Sequence, residues 1–169
     1  MSPEQLTSEL HSNKELFRNL FASVPREQRL WRPAPNKWNI HEILCHMHDE
    51  ECDDFRFRTR FVLENPGETP PPFDPVAWVE ERDYASKDYD EMLVKFVQER
   101  EDSVTWLRSL DNPKWDNHFT HPKAGPFSAL RVLRNWLAHD QLHIRQVLDR
   151  KFHYLKQFDE NGLDYAGSW

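Results

Sequence analysis

Trp136-Leu137-Ala138-His139-Asp140-Gln141-Leu142-His143-Ile144-Arg145-Gln146 lies inside a run whose apolar residues recur three and four apart. That period belongs to a helix with one face turned to a core. It predicts a helix over 127–151 with Leu130, Leu133, Leu137, Ile144, Val147 and Leu148 on the core arc. Val132, Trp136 and His143 fall at one edge of the arc, and His139 just past it. His139 and His143, four apart, project from one face on successive turns. Two imidazoles so spaced are able to share one metal ion, although the spacing alone is common by chance. Asp140 falls within the arc, where a buried carboxylate needs a partner. A histidine that it orients, an arginine from another helix or a structural hydrogen bond would each serve.

Three more long helices follow from the same period. The first covers 3–23, with Leu6, Leu10, Leu16, Phe17, Leu20 and Phe21 at helical spacing and Pro3 after Ser2 as its start. Pro25 ends it, and 26–37 reads as a loop. The second covers 39–64, with Asn39 as N-cap, Glu42 completing a capping box, and Asn65-Pro66-Gly67 as the stop. Thr69-Pro70-Pro71-Pro72 predicts an extended connector, and 75–82 a short extra helix. The third long helix covers 89–110, capped by Asp88, with Met92, Leu93, Phe96, Val97, Val104 and Leu107 inward. Asp111-Asn112-Pro113 breaks it. Residues 112–126 read as a loop that leaves His118 and His121 on the surface, and 152–169 as an aromatic, acidic tail able to pack across the bundle. The expected fold is all-α: one four-helix-bundle domain over 1–169 whose long connectors need not give simple up-down-up-down order.

Composition agrees. The 169 residues are enough for a real core, and only four are glycine, too few for many hairpins. A net charge of −7 without a basic run excludes a nucleic-acid footprint. No apolar stretch approaches the roughly 18 residues that span a membrane, and the first residues show no signal pattern. The expected location is the cytoplasm. Cys45 and Cys52 stand two helical turns apart, about 10 Å, too far for a disulfide.

The second helix carries His41, His46, His48, Asp49, Glu50, Glu51, Asp53 and Asp54. On its wheel, Ile43, Met47 and Phe61 mark the inner face, with Phe57, His46, Glu50 and Asp54 toward one edge. His41 and His48 point away and read as solvated. His46 is thus the one histidine of this helix placed to meet the pair on the fourth. Trp38, Trp106 and Trp136 read as core aromatics.

Two blocks, Lys37-Trp38-Asn39-Ile40-His41-Glu42-Ile43-Leu44-Cys45-His46-Met47-His48-Asp49-Glu50 and the 136–146 stretch, resemble the DinB/YfiT-like family of metal-dependent four-helix bundles. Trp38, His46 and Asp49 match its first motif, and His139, Asp140, His143 and Gln146 its second. Leu30-Trp31-Arg32-Pro33 looks like its loop ahead of helix two. The resemblance implies that His46, His139 and His143 bind a divalent nickel, zinc or iron ion. Family members with known chemistry include thiol-dependent S-transferases, so it also implies a low-molecular-weight thiol as cosubstrate.

Three neutral imidazoles leave a coordination position for a water or thiol, whose pKa the ion lowers. Glu50 or Asp49 would then be the general base, or would hold an imidazole tautomer. The expected function is a metal-dependent S-transferase acting on a small molecule. The alternatives are a metal-dependent hydrolase and a non-enzymatic, dimeric stress or interaction module in which the ion only ties two helices together. An open metal position favours an enzyme; a fourth protein ligand, from Glu50 or Asp140, favours the module.

Overall fold

Helix α1 (Pro3–Ala22) starts where its sequence says it should. In the computed structural model, which describes residues 1–159 and 162–167, Ser2 Oγ accepts from the Gln5 amide and the Gln5 side chain accepts from the Ser2 amide. Such a cap stabilises by about 1 kcal/mol. Leu6, Leu10, Phe17 and Phe21 are buried, whereas Leu16, expected inward, is exposed at the edge of the stripe. The stretch expected as loop holds one turn of helix, α2 (Arg26–Arg29). Arg32 then forks onto both carboxylate oxygens of Glu42 at 2.6 Å, fixing the entry to α3 (Ile40–Asp49). The Asn39–Glu42 capping box opens α3.

The predicted second helix continues to residue 64, but not as one α-helix. Residues Glu50–Arg56 form a π-helical turn, followed by α4 (Phe57–Glu64). A π turn inserts a residue into the α repeat. From Met47, uninterrupted α spacing would bring 54, 58 and 61 inward; Asp54 and Phe55 are both buried at the turn, and beyond it the buried residues are Thr59 and Val62, one residue later. Phe57, expected near the core edge, is therefore exposed.

The connector contains α5 (Trp78–Glu81) and a 3₁₀ turn at Tyr84–Ser86. Helix α6 (Tyr89–Ser109) starts at Asp88, whose side chain accepts from the Glu91 amide. The expected 112–126 loop holds an antiparallel hairpin, β1 (His118–His121) and β2 (Gly125–Ser128), with Phe119 opposite Phe127. Ser128 caps α7 (Ala129–Lys156), which takes in the first residues of the expected tail. Beyond it, Phe158 and Tyr165 are exposed and do not cross the bundle; Trp169 lies outside the described residues. No described helix is long and apolar enough to cross a membrane.

Helix α1 packs on α6 and α7, and the α3–α4 segment packs on the same two. Phe21 meets Phe96 while Leu10 meets Arg100, so α1 and α6 are antiparallel. Asn13 reaches Asp140 and Ser23 reaches Lys151, so α1 and α7 are parallel. His41 meets Tyr89 and Arg56 meets Ser103, so α3 and α6 also run parallel. The order is up-down-down-up. Two consecutive helices that run the same way require a chain return along the bundle, which is the task of connector 65–88.

Each of the four helices interrupts its apolar face at one shared level. One core cluster contains Phe17, Phe21, Ile43, Met47, Phe96 and Val147; the other contains Leu10, Phe55, Val104, Leu133, Trp136 and Leu137. Between them lie Asn13 of α1, Glu50 and Glu51 of the π turn, Arg100 of α6 and His139, Asp140 and His143 of α7. A polar layer thus crosses the middle of the bundle.

Candidate metal centre

His46 enters that layer from the last turn of α3, and His139 and His143 enter from adjacent turns of α7. The His46 and His139 Nε2 atoms are 3.3 Å apart. One ring nitrogen from each of the three residues lies within 4.8 Å of the others. Nitrogens about 2.0–2.1 Å from one tetrahedral ion are themselves about 3.4 Å apart. The closer pair already has that separation. His46 Nδ1 and His143 Nδ1 are buried without hydrogen-bond partners. Burial, with the neighbouring imidazoles, pushes His46 down to about 3, and it pushes His139 to about 2. His143 falls to about 4, chiefly through burial. All three are neutral at pH 7, the form whose lone pairs ligate metal. The donor set therefore fits a divalent ion.

Aromatic rings hold the imidazoles. Trp38 lies against His46 at a centroid distance of 4.7 Å, and Phe55 against His139 at 4.9 Å. Trp136, fully buried, stacks on Phe55 and backs the site as core. Trp106 is half-buried, under the Arg60 guanidinium. His143 also lines a surface cleft of about 700 Å³ with Leu142, Arg145, Gln146, Asp149 and Arg150. This wall is mostly polar, with two arginines and one aspartate.

Glu50, first residue of the π turn, brings Oε2 to 4.0 Å from His139 Nε2, while its Oε1 is buried and unpartnered. Burial first, and the Asp54 carboxylate second, push the Glu50 carboxyl up to about 8. Asp49 goes elsewhere. Its carboxylate takes His48 Nδ1 at 2.7 Å, the Tyr84 hydroxyl at 2.9 Å and Arg82 Nη1 at 2.9 Å. Burial would raise its carboxyl, but these hydrogen bonds and the Lys87 and Arg82 charges carry it below the usual range. Asp49 was expected as a base; its oxygens are committed to the connector.

The structure brings together His46, His139, His143 and Glu50, and leaves His118 and His121 on the hairpin. His41, expected in solvent, is buried edge-on to Tyr89, because the 65–88 connector and α6 cover that side of α3. On α7 the core face is turned toward Trp136 and Asp140, and Leu148 is exposed, because the helix packs on α1 as well as on α3 and α4.

Arg100 and Glu51 went unread as site neighbours, whereas Asp54 was placed on the His46 and Glu50 edge. Arg100 offered a signal: it stands four residues from both Phe96 and Val104, a cation within an apolar stripe. It is the arginine that buried Asp140 required, at 2.6 Å. Glu51 stands in an acidic run, Glu50 to Asp54, in which nothing local marks the carboxylate that meets Arg100.

No curated protein matches the chain. Among solved structures, YfiT from Bacillus subtilis, described as "a probable metal-dependent hydrolase with an unusual four-helix bundle topology", is similar with a TM-score of 0.77. The match covers 89% of this chain and 87% of that one at 17% identity, and speaks for the fold. The DinB superfamily profile matches residues 9–147, most of the 169-residue chain, which therefore belongs to the DinB superfamily.

Proposed function

We propose that the protein is a metal-dependent enzyme in which His46, His139 and His143 hold a divalent ion and Glu50 moves the proton of a nucleophile. The observation that carries this reading is the position of Glu50, buried beside the three imidazoles and outside any hydrogen-bonded pair on Oε1. An ion held there supplies Lewis acidity that makes water or a thiol nucleophilic near neutral pH. The carboxyl of Glu50, raised into the neutral range, suits proton transfer at working pH. Trp38 and Phe55 orient the imidazoles and keep bulk water from two sides.

Hydrolysis is the reaction that this geometry supports best, since water must surrender a proton and Glu50 is placed to accept it. The YfiT likeness points the same way. S-transfer from a low-molecular-weight thiol is the second reading, favoured by the all-imidazole donor set, which suits zinc, nickel or iron and leaves the ion its full charge to bind a thiolate. Asp49 serves by anchoring the connector rather than as a base.

The test loads the protein with zinc, nickel or iron and assays ester and amide hydrolysis and thiol transfer to electrophile panels, with Glu50→Gln beside the wild type. Turnover that depends on metal and falls in Glu50→Gln supports the enzyme. Tight metal binding without turnover, and with Glu50 filling the coordination sphere, would leave a metal-stabilised structural module instead.

A further inference from the structure

Arg100 is fully buried and all its N–H groups have oxygen partners. Nε and Nη2 bond Glu51 Oε1 and Oε2 at 2.8 Å each. Nη1 and Nη2 bond Asp140 Oδ2 and Oδ1 at 2.6 and 2.7 Å, and Nη1 also reaches the Leu10 carbonyl at 3.2 Å. The two carboxylates carry further donors: Trp136 Nε1 to Glu51 at 2.9 Å and Asn13 Nδ2 to Asp140 at 2.9 Å. One guanidinium therefore links all four bundle helices.

The carboxylates that it grips have particular chain neighbours. Glu51 follows Glu50, and Asp140 follows His139. A planar fork that binds two carboxylates bidentately fixes their separation and orientation more tightly than an ammonium could. Burying such a cluster brings little stability, because desolvation offsets the attraction and apolar residues of similar volume often serve as well. What it does supply is register: the rotation of the π turn against α7, and thereby the approach of Glu50 to His139.

We propose that Arg100 is the positioning residue of the centre, holding the π turn and α7 in the register that lets Glu50, His46, His139 and His143 converge. The inference rests on the metal-binding reading above and deepens it.

The test measures cobalt(II) and zinc affinity by chelator competition, the visible spectrum of the cobalt form, and thermal stability. It compares wild type, Arg100→Lys, and the apolar triple variant Arg100→Met, Glu51→Leu, Asp140→Leu. Arg56→Met is the control: Arg56 ties the same π turn to α6 through Ser103 and Glu99, at the half-exposed rim. Arg100→Lys is expected to weaken metal binding roughly 10- to 100-fold, the usual effect of losing an outer partner of a metal site, and to alter the cobalt spectrum. Arg56→Met is expected to lower stability with affinity and spectrum intact. Should Arg100→Lys not fold, the triple variant decides, since it leaves no unpaired buried charge. Wild-type affinity and spectrum in a folded Arg100→Lys or triple variant would overturn the proposal and leave metal binding standing. A wild-type protein that binds neither ion would overturn both.

Discussion

His143 and His121 are both histidines near polar neighbours, and only their surroundings separate them. His143 is buried on α7 beside two other imidazoles, whereas the His121 ring accepts backbone amides of its own hairpin turn. His143→Ala is expected to lose most bound metal and His121→Ala to keep it, read as metal per protein by mass spectrometry. Equal content in the two variants would remove the three-histidine centre. Glu50→Gln preserves shape and removes the ionisable group. It is expected to retain the ion while kcat falls by about 10²–10⁴, the usual share of a general acid or base. A variant that loses the ion instead would make Glu50 a ligand.

At the scale of the element, the hairpin and the π turn give opposite expectations. Gly125 closes the β1–β2 turn at φ +65°, and a Cβ there would meet nothing within 4 Å. The cost of Gly125→Ala is therefore backbone strain alone, about 1 kcal/mol, or a melting temperature lower by roughly 2–4 °C. Metal content should not change. Deleting Cys52 from the π turn acts differently. It restores α spacing and, counted from Met47, leaves Thr59 and Val62 in their inward places, while the widened turn that brings Glu50 beside His139 is removed. Loss of metal affinity with a smaller fall in stability is expected, since α4 keeps its core face; an unchanged centre would show that the π turn does not position Glu50.

Across the whole molecule, the buried polar layer sets a pH optimum for folding. In the absence of metal, the three site imidazoles and buried His41 have folded values below their ordinary 6.5. Below about 6.5 the unfolded chain takes up protons that the folded chain refuses, so stability falls as pH drops. Glu50 works in the other direction. Its folded value of about 8 lies above the ordinary 4.5, so its contribution is lost as pH rises toward 8. Urea unfolding in the presence of chelator is expected to show greatest stability near pH 6.5, with the steeper decline on the acid side, where several imidazoles outweigh one carboxyl. A profile that rises steadily to pH 8.5 would contradict this. Added zinc should lift the whole curve, because an ion that binds only the folded state stabilises by mass action.

Helical period, caps and proline stops are local, and the sequence by itself determined them. The starts at Pro3, at Ile40 behind Asn39 and at Tyr89 behind Asp88 follow from side chains within three residues of each helix end. The i, i+4 pair His139 and His143, with His46 opposite, was legible for the same reason: spacing on a helix is arithmetic. The hairpin escaped because four-residue strands carry too little alternation to stand out from a loop. The π turn escaped because α spacing, once assumed, places Phe57 near the core edge and Phe61 inside, and only packing against α6 and α7 puts Thr59 and Val62 there instead. The up-down-down-up order, the burial of His41 and the joining of Glu51, Arg100 and Asp140 are products of tertiary structure alone. Each depends on residues tens of positions apart, and no local pattern records which buried charge will find which partner.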